Sequence, residues 1–290
     1  MSFLKVIVLA IVQGLAELLP VSSSAHVVVA EKLMGLDPSA PAMTLLLVML
    51  HTGTMFAVIV YFWRRWRATY FASMAQFKRT VLQVILATAL TGAIGEAIQL
   101  LIEKTLFRNA PQAQIEDLFS HLELIAPALA AGGVLILIAG LRGRGRKPAA
   151  PDATGGELTT GQASIIGAAQ GLSLPFRGFS RSGATISAGM LAGVAKVSAE
   201  NFSFALAVVL TPVVDVREAL RLLHAEHEGR AAALASAIVP GLLGAALAFV
   251  AGLLALKWLS RWLEGGRWYL FGVYCLVAAA VVGGLYSAGY

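Results

Sequence analysis

The sequence predicts an all-α polytopic membrane protein built as an inverted repeat, each half carrying a re-entrant helical hairpin plus transmembrane helices. Three observations carry that prediction. Of the 290 residues, 58% are hydrophobic and only 13% charged, whereas a soluble domain carries about 25% charged residues; the mean hydropathy is +0.78. Several apolar runs reach the ~20 residues that cross a bilayer. Finally, one pattern occurs twice: residues 13–26 read QGLAELLPVSSSAH and residues 170–185 read QGLSLPFRGFSRSGAT. Both begin Gln-Gly-Leu, pass a proline (Pro20, Pro175) and end in a serine cluster.

Taken in order, Phe3 to Leu19 is apolar but short and interrupted by Gln13 and Glu17. Its single lysine and apolar run resemble a signal peptide only superficially, because the run continues straight into the serine cluster. A second short segment runs from Ser22 to about Met34. Two half-length helices around a proline read as a re-entrant hairpin, a broken backbone that membrane depth tolerates only where protein or a water-filled cavity satisfies it. Full spans are expected at Met43–Phe62, Thr80–Ile102 and Leu122–Leu141. Residues 142–160, rich in Gly, Pro and charge, read as a loop dividing repeat half 1 (1–141) from repeat half 2 (161–290) within a single membrane domain. The second half repeats the plan: short segments at Gly161–Phe176 and Ser180–Val194, then spans at about Phe202–Val216, Ala231–Leu256 and Trp268–Ala288.

Charge orients these spans. Segments 63–79, 142–147 and 257–267 hold five, four and three Lys/Arg, while 103–121 and 217–230 hold two and three. The first group is therefore expected on the cytoplasmic side. The span after the first short pair then runs outward to inward and the span after the second pair the reverse, which is the inverted-repeat plan. The net charge of +6 follows from this topology and does not call for a nucleic-acid partner. The single cysteine, Cys275, excludes an internal disulfide and a cysteine-based metal site.

Ionisable residues at hydrocarbon depth cost roughly 2.5–3.5 kcal/mol each on insertion scales, so Glu17, His26, Arg177 and Arg181 point to function. Arg181 lies between Ser180 and Ser182, before a short helix expected to begin near Gly183. Free helix N–H groups, hydroxyls and a guanidinium fork make an anion site. In the first stretch Ser22, Ser23, Ser24 and His26 follow Pro20, and Ser23 and His26, three apart, share a helical face as a hydroxyl–imidazole pair. The plainer alternatives are a serine helix cap, a histidine bonded to a carbonyl, and an arginine snorkelling from a helix end. Gln13 and Glu17, four apart, stack on one face. Their oxygens suit a hard divalent cation, Mg²⁺ or Ca²⁺, that also binds phosphate oxygens; alternatively Glu17 pairs with Arg181 or orients His26. The expected substrate is a phosphorylated lipid.

These residues bring a family into view. QGLAELLPVSSSAH and GFSRSGATI resemble the two signature regions of the undecaprenyl pyrophosphate phosphatase family, also called the bacitracin-resistance family. The likeness extends to FAVIVYFWRRW, ISAGMLAGV and ENFSFALAV and to the spacing of spans over nearly the whole chain. The resemblance implies removal of the terminal phosphate from undecaprenyl diphosphate, which regenerates the lipid carrier for peptidoglycan precursors. It also implies two re-entrant hairpins and a site open to the outer side of the bacterial plasma membrane. The family's acidic pair falls on Gln13 and Glu17, its serine and histidine on Ser23 and His26, and its phosphate-binding loop on Ser180, Arg181, Ser182 and Thr185; Ser22, in the same serine cluster, is this chain's further candidate substrate ligand. The chain departs from the pattern twice. Gln13 stands where many relatives have glutamate. The order PFRGFSRS replaces Pro-Gly directly before Ser-Arg-Ser, so the loop is one residue longer and gains Arg177, a second candidate phosphate or headgroup ligand.

Other polar residues read more plainly. His51, Glu96 and Asp215, within or near apolar runs, either tune the site or shuttle protons or, as the favoured reading, make interhelical hydrogen bonds (His51, Glu96) and sit at a solvated helix end beside Arg217 and Glu218 (Asp215). The runs APALAAGGV and PGLLGAALAFVAG allow close helix packing, as architecture or as a homodimer face. The rival of another class is a polyprenyl-phosphate flippase or secondary transporter, since inverted repeats are also a transporter design. An acid-phosphatase-like lipid phosphatase needs a second histidine and an aspartate downstream of Ser-Arg, and His224 and His227 come too late for it.

Overall fold

The computed structural model describes residues 2–37, 40–106, 121–143, 158–224 and 230–289, and among them are ten α-helices and no strand. In chain order these are α1 (Phe3–Leu18), α2 (Ser23–Leu33), α3 (Pro41–Thr69), α4 (Met74–Leu106), α5 (Leu122–Gly143), α6 (Thr160–Ser173), α7 (Arg181–Leu191), α8 (Lys196–His224), α9 (Arg230–Glu264) and α10 (Trp268–Ser287). Six of them, α3, α4, α5, α8, α9 and α10, are long and apolar enough to cross a membrane. They coincide with the six spans expected from the sequence. The lengths recur: α1 to α5 have 16, 11, 29, 33 and 22 residues, and α6 to α10 have 14, 11, 29, 35 and 20.

The long helices run past the apolar windows that announced them. Arg64, Arg65 and Arg67 lie inside α3, and 217–224, expected as loop, continues α8. Hydropathy marks where lipid ends, not where the helix does. Arginine is a good helix former and is favoured near a helix C-terminus. Most of the dividing loop, 144–157, lies outside the described residues, as do 107–120 and 225–229 with His227.

Two packed units are present. The first comprises Met1–Leu19, Ser23–Tyr61 and Ala207–Leu259. Here α1 ends because Pro20 follows: the residue before a proline is pushed out of the helical region, and Leu19 is extended at φ −81°, ψ 150°. The chain then folds back. Lys5 near the start of α1 donates to the carbonyl of Met34 beyond the end of α2 at 2.7 Å, so the two helices form an antiparallel hairpin. Val6, Leu9 and Ala10 of α1, Val27 of α2, Met43, Leu46 and Leu50 of α3, and Ala248 of α9 make a buried core.

The second unit comprises Pro20–Ser22, Phe62–Leu206 and Ser260–Tyr290. Thr159 and Gln162 form a capping box at the start of α6, which satisfies two otherwise unpaired donors. Gln162 also donates to the carbonyl of Ala192 after α7 at 3.2 Å, so α6 and α7 form a second antiparallel hairpin. Helix α6 packs on α4, where Thr91 donates to the carbonyl of Gly167 at 2.9 Å and accepts from Gln170 Nε2 at 3.3 Å.

The glycine of each Gln-Gly-Leu has a packing reason. A Cβ on Gly14 would lie 2.6 Å from Ala251 Cβ and 2.8 Å from the Ala248 carbonyl of α9, within the first unit. In the second unit, a Cβ on Gly171 would lie 2.7 Å from the Thr91 carbonyl and 3.0 Å from Ile94 Cβ of α4. In each, a short helix touches the backbone of a long one over one turn, and only a missing side chain permits that approach. The two runs of small residues are likewise used inside the chain. Gly133 of α5 abuts Cys275 and Gly272 of α10, and Gly244 of α9 abuts Leu50 of α3.

Candidate active site

The first motif places a carboxylate beside the turn of a hairpin. Gln13 and Glu17 lie one turn apart on α1, and Gln13 Nε2 donates to Glu17 Oε2 at 3.2 Å. Ser22 takes φ 68° in the turn, a conformation uncommon for a residue with a side chain, and α2 begins at the next residue. That start brings the Ser23 hydroxyl back over α1, where it donates to the same Glu17 oxygen at 2.5 Å, in the short range of a charge-assisted bond. Ser23 has one hydroxyl proton, and it points at the carboxylate rather than at the imidazole expected from spacing. His26 follows on the next turn of α2, partly exposed.

The same carboxylate gathers a residue from α3. His51 Nε2 lies 3.7 Å from Glu17 Oε2, and its Nδ1 is 2.9 Å from the Leu47 carbonyl of its own helix. For His51 the sequence favours an interhelical hydrogen bond over a role in tuning the site, and the structure places it beside the site carboxylate. Its sequence signal, an ionisable group mid-span, was present, but its distance from Glu17 along the chain hid the pairing. Thr52 donates to Asp215 Oδ2 of α8 at 3.3 Å. Asp215 therefore bonds a neighbouring helix, and its own helix does not end there but runs on to His224.

The second motif, in the second unit, is a turn followed by a capped helix start. Phe179 N–H bonds the Phe176 carbonyl at 3.1 Å, and Gly178 takes φ +107°. This is the geometry of a turn that needs a positive φ at its third residue. Arg177 occupies the second position of this turn. A Cβ on Gly178 would also strike the Ile125 carbonyl at 2.6 Å, so the turn is pressed against α5. Ser180 has φ 25° and accepts from Gly183 N–H at 3.2 Å as the N-cap of α7. Arg181 is consequently the first helical residue, two positions earlier than the expected start near Gly183. Ser182 and Thr185 are buried. The Thr185 hydroxyl lies 2.9 Å from the Arg181 carbonyl, 3.3 Å from that of Ser182 and 2.6 Å from Ser203 Oγ. Ser22 and Ser180 are the positive-φ residues other than glycine among the described residues, and each directly precedes an 11-residue helix.

As a metal centre, the chain supplies part of a shell. Gln13 and Glu17 share one helix face with the Gln13 amide nitrogen turned to Glu17, so the pair offers a second oxygen to a cation only with that amide flipped. Among the described residues no group of three or more His, Cys, Asp or Glu gathers as a metal site. Such a donor pair fits a hard cation that takes its remaining ligands from phosphate oxygens and water.

Fold and motifs together define a multi-pass, all-helical membrane protein with a hydroxyl held on a carboxylate in one hairpin and an arginine at the capped helix start of another. The family model for bacitracin resistance protein BacA matches residues 6–281. The chain is 57% identical over 285 residues to a protein of Acinetobacter baylyi named undecaprenyl-diphosphatase 2, covering 97% of each. A Burkholderia ambifaria protein of the same name is 35% identical over 289 residues, 96% of this chain and 95% of that one. A Burkholderia pseudomallei protein named undecaprenyl-diphosphatase 1 is 36% identical over 301 residues, 100% of this chain and 97% of that one. The chain belongs to the bacitracin resistance protein BacA family.

Proposed function

We propose that this chain is an undecaprenyl-diphosphatase, an integral membrane hydrolase that converts undecaprenyl diphosphate to undecaprenyl phosphate and inorganic phosphate and so recycles the lipid carrier of peptidoglycan synthesis. The observation that carries the reading is the 2.5 Å bond from Ser23 Oγ to Glu17 Oε2. A serine hydroxyl is a weak nucleophile until an adjacent base takes its proton. In the proposed reaction Glu17 accepts that proton as Ser23 Oγ bonds to the terminal phosphorus. The bridging P–O bond breaks, and undecaprenyl phosphate leaves with the bond's electron pair. His26 then deprotonates the water that hydrolyses the phosphoserine; protonated Glu17 returns its proton to Ser23 Oγ as phosphate leaves, and His26 passes the proton taken from water to solvent.

Phosphoryl transfer depends mainly on positioning and charge stabilisation. Arg181 supplies a two-pronged donor for non-bridging oxygens, Arg177, Ser22 and Ser182 add further donors, and Ser180 and Thr185 shape the turn that presents Arg181. Glu17 and Gln13 would hold a divalent cation jointly with the diphosphate, and that ion would neutralise developing charge. Phosphate release from undecaprenyl diphosphate by the purified protein tests both points. Release is expected, with loss on chelation and recovery with Mg²⁺ or Ca²⁺. Lipid movement without phosphate release would mark a transporter instead, and full activity in chelator would remove the cation.

We further propose that each hairpin is re-entrant and that the halves are inserted in opposite senses. The matched helix lengths support this, as does the odd number of spans, three, in the first half. The active site would open to the outer side of the plasma membrane. With Cys275 replaced by alanine, Arg177→Cys is expected to react with a membrane-impermeant maleimide applied to intact cells. Labelling only after permeabilisation would reverse the orientation.

A further inference from the structure

The run Glu-Asn-Phe-Ser-Phe at 200–204 carries part of the family likeness, yet none of its side chains enters the chemistry above. Its groups are engaged within the second unit. Glu200, buried in α8, accepts from Ser260 Oγ at 2.7 Å and lies 3.5 Å from Arg65 Nη1. The Asn201 carbonyl accepts from Trp66 Nε1 at 3.4 Å, and Phe204 stacks on Phe62 with centroids 5.2 Å apart. This turn of α8 is thereby fixed from several sides. Ser203 projects from it to Thr185, and both residues are 0% exposed.

The Ser203 and Thr185 oxygens are 2.6 Å apart, while Thr185 Oγ1 also lies 2.9 Å from the Arg181 carbonyl. With Ser203 donating to Thr185 and Thr185 donating to Arg181, the hydroxyls form a continuous strut from α8 to the first residue of α7. The Thr185 hydroxyl bonds back to the carbonyl four residues earlier in its own helix, so its contact with Ser203 ties the first turn of α7 to α8. Ser180 holds it from the turn side through Gly183 N–H, and the strut holds it from behind.

We propose that Ser203 is a positioning residue for the phosphatase reaction, acting through Thr185 to set where Arg181 presents its guanidinium to the diphosphate. The proposal rests on the phosphatase reading. Misplacing a binding group by about 1 Å costs on the order of 10²-fold in rate, and losing one of two supports is expected to cost roughly a tenth of that. Ser203→Ala should lower kcat/KM for undecaprenyl diphosphate about tenfold while the unfolding midpoint in detergent stays at the wild-type value. Thr185→Val should do the same, and the double variant should be no worse than the poorer single, because both cut one strut. In Arg181→Lys, which has lost the fork to be positioned, adding Ser203→Ala should change little.

Hydrogen–deuterium exchange gives a readout free of catalysis: the peptide covering 181–185 should exchange faster in Ser203→Ala, with the rest of α7 unchanged. Wild-type kcat/KM in Ser203→Ala, multiplying penalties in the double variant, or unchanged exchange at 181–185 would each overturn the proposal. If the unmutated chain releases no phosphate from undecaprenyl diphosphate, the phosphatase reading fails instead, and the exchange experiment alone decides whether Ser203 holds this turn.

Discussion

Ser23→Ala is expected to reduce phosphate release by at least about 10³-fold, with the protein still folded and membrane-inserted. Removing a nucleophile leaves only binding and charge stabilisation, and single losses of that kind in hydrolases reach roughly 10⁶. Ser23 is partly exposed and its structural bond is to Glu17, so alanine removes the attacking atom with little loss of packing. Glu17→Gln keeps the shape of the acceptor but not its basicity. It is expected to cost about 10²–10⁴-fold, the range for a positioned general base. The two defects belong to one step, so Ser23→Ala combined with Glu17→Gln should be barely worse than Ser23→Ala alone. A clear further drop in the double variant, or substantial turnover in Ser23→Ala, would mean that the 2.5 Å bond is a hairpin fastening and not a catalytic pair.

Arg181→Ala is expected to lower kcat/KM by about 10³-fold or more, since an arginine that stabilises a phosphoryl-transfer transition state is worth roughly 10³–10⁵. Arg181→Lys separates charge from shape. The ammonium restores the positive charge but not the planar fork, so activity should recover only partway, still roughly tenfold or more below wild type. Full recovery with lysine would show that Arg181 contributes charge alone. An Arg181→Ala enzyme with wild-type kcat/KM would remove the second motif from the reaction. Assays at two salt concentrations serve as a control, because an interaction screened from solvent responds little to ionic strength.

Local features were the most legible in the sequence. Pro20 ends α1 where a proline must, and the two Gln-Gly-Leu glycines sit where two helices need close backbone approach. Six long apolar runs became six candidate spans. Helix ends were less legible, because hydropathy reports lipid contact and not hydrogen bonding; Arg64, Arg65 and Arg67 are helical all the same. Least legible were contacts that cross elements. Spacing suggested Ser23 with His26 on one face, but the positive φ at Ser22 redirects Ser23 to Glu17 across the turn. His51 reaches Glu17 from α3, and Ser203 reaches Thr185 from α8. Such pairings are created by packing, and no periodicity within a single helix encodes them.

The reaction order stands or falls on which atom receives phosphorus. Purified protein mixed with undecaprenyl diphosphate labelled in its terminal phosphate, quenched within a turnover and digested for mass spectrometry, should yield phosphoserine at position 23. The adduct should accumulate in His26→Ala, where water attack is slowed, and be absent from Ser23→Ala. A label carried by His26 as acid-labile phosphohistidine, or steady phosphate release at the wild-type rate from Ser23→Ala, would contradict the roles of Ser23 as nucleophile and Glu17 as its base.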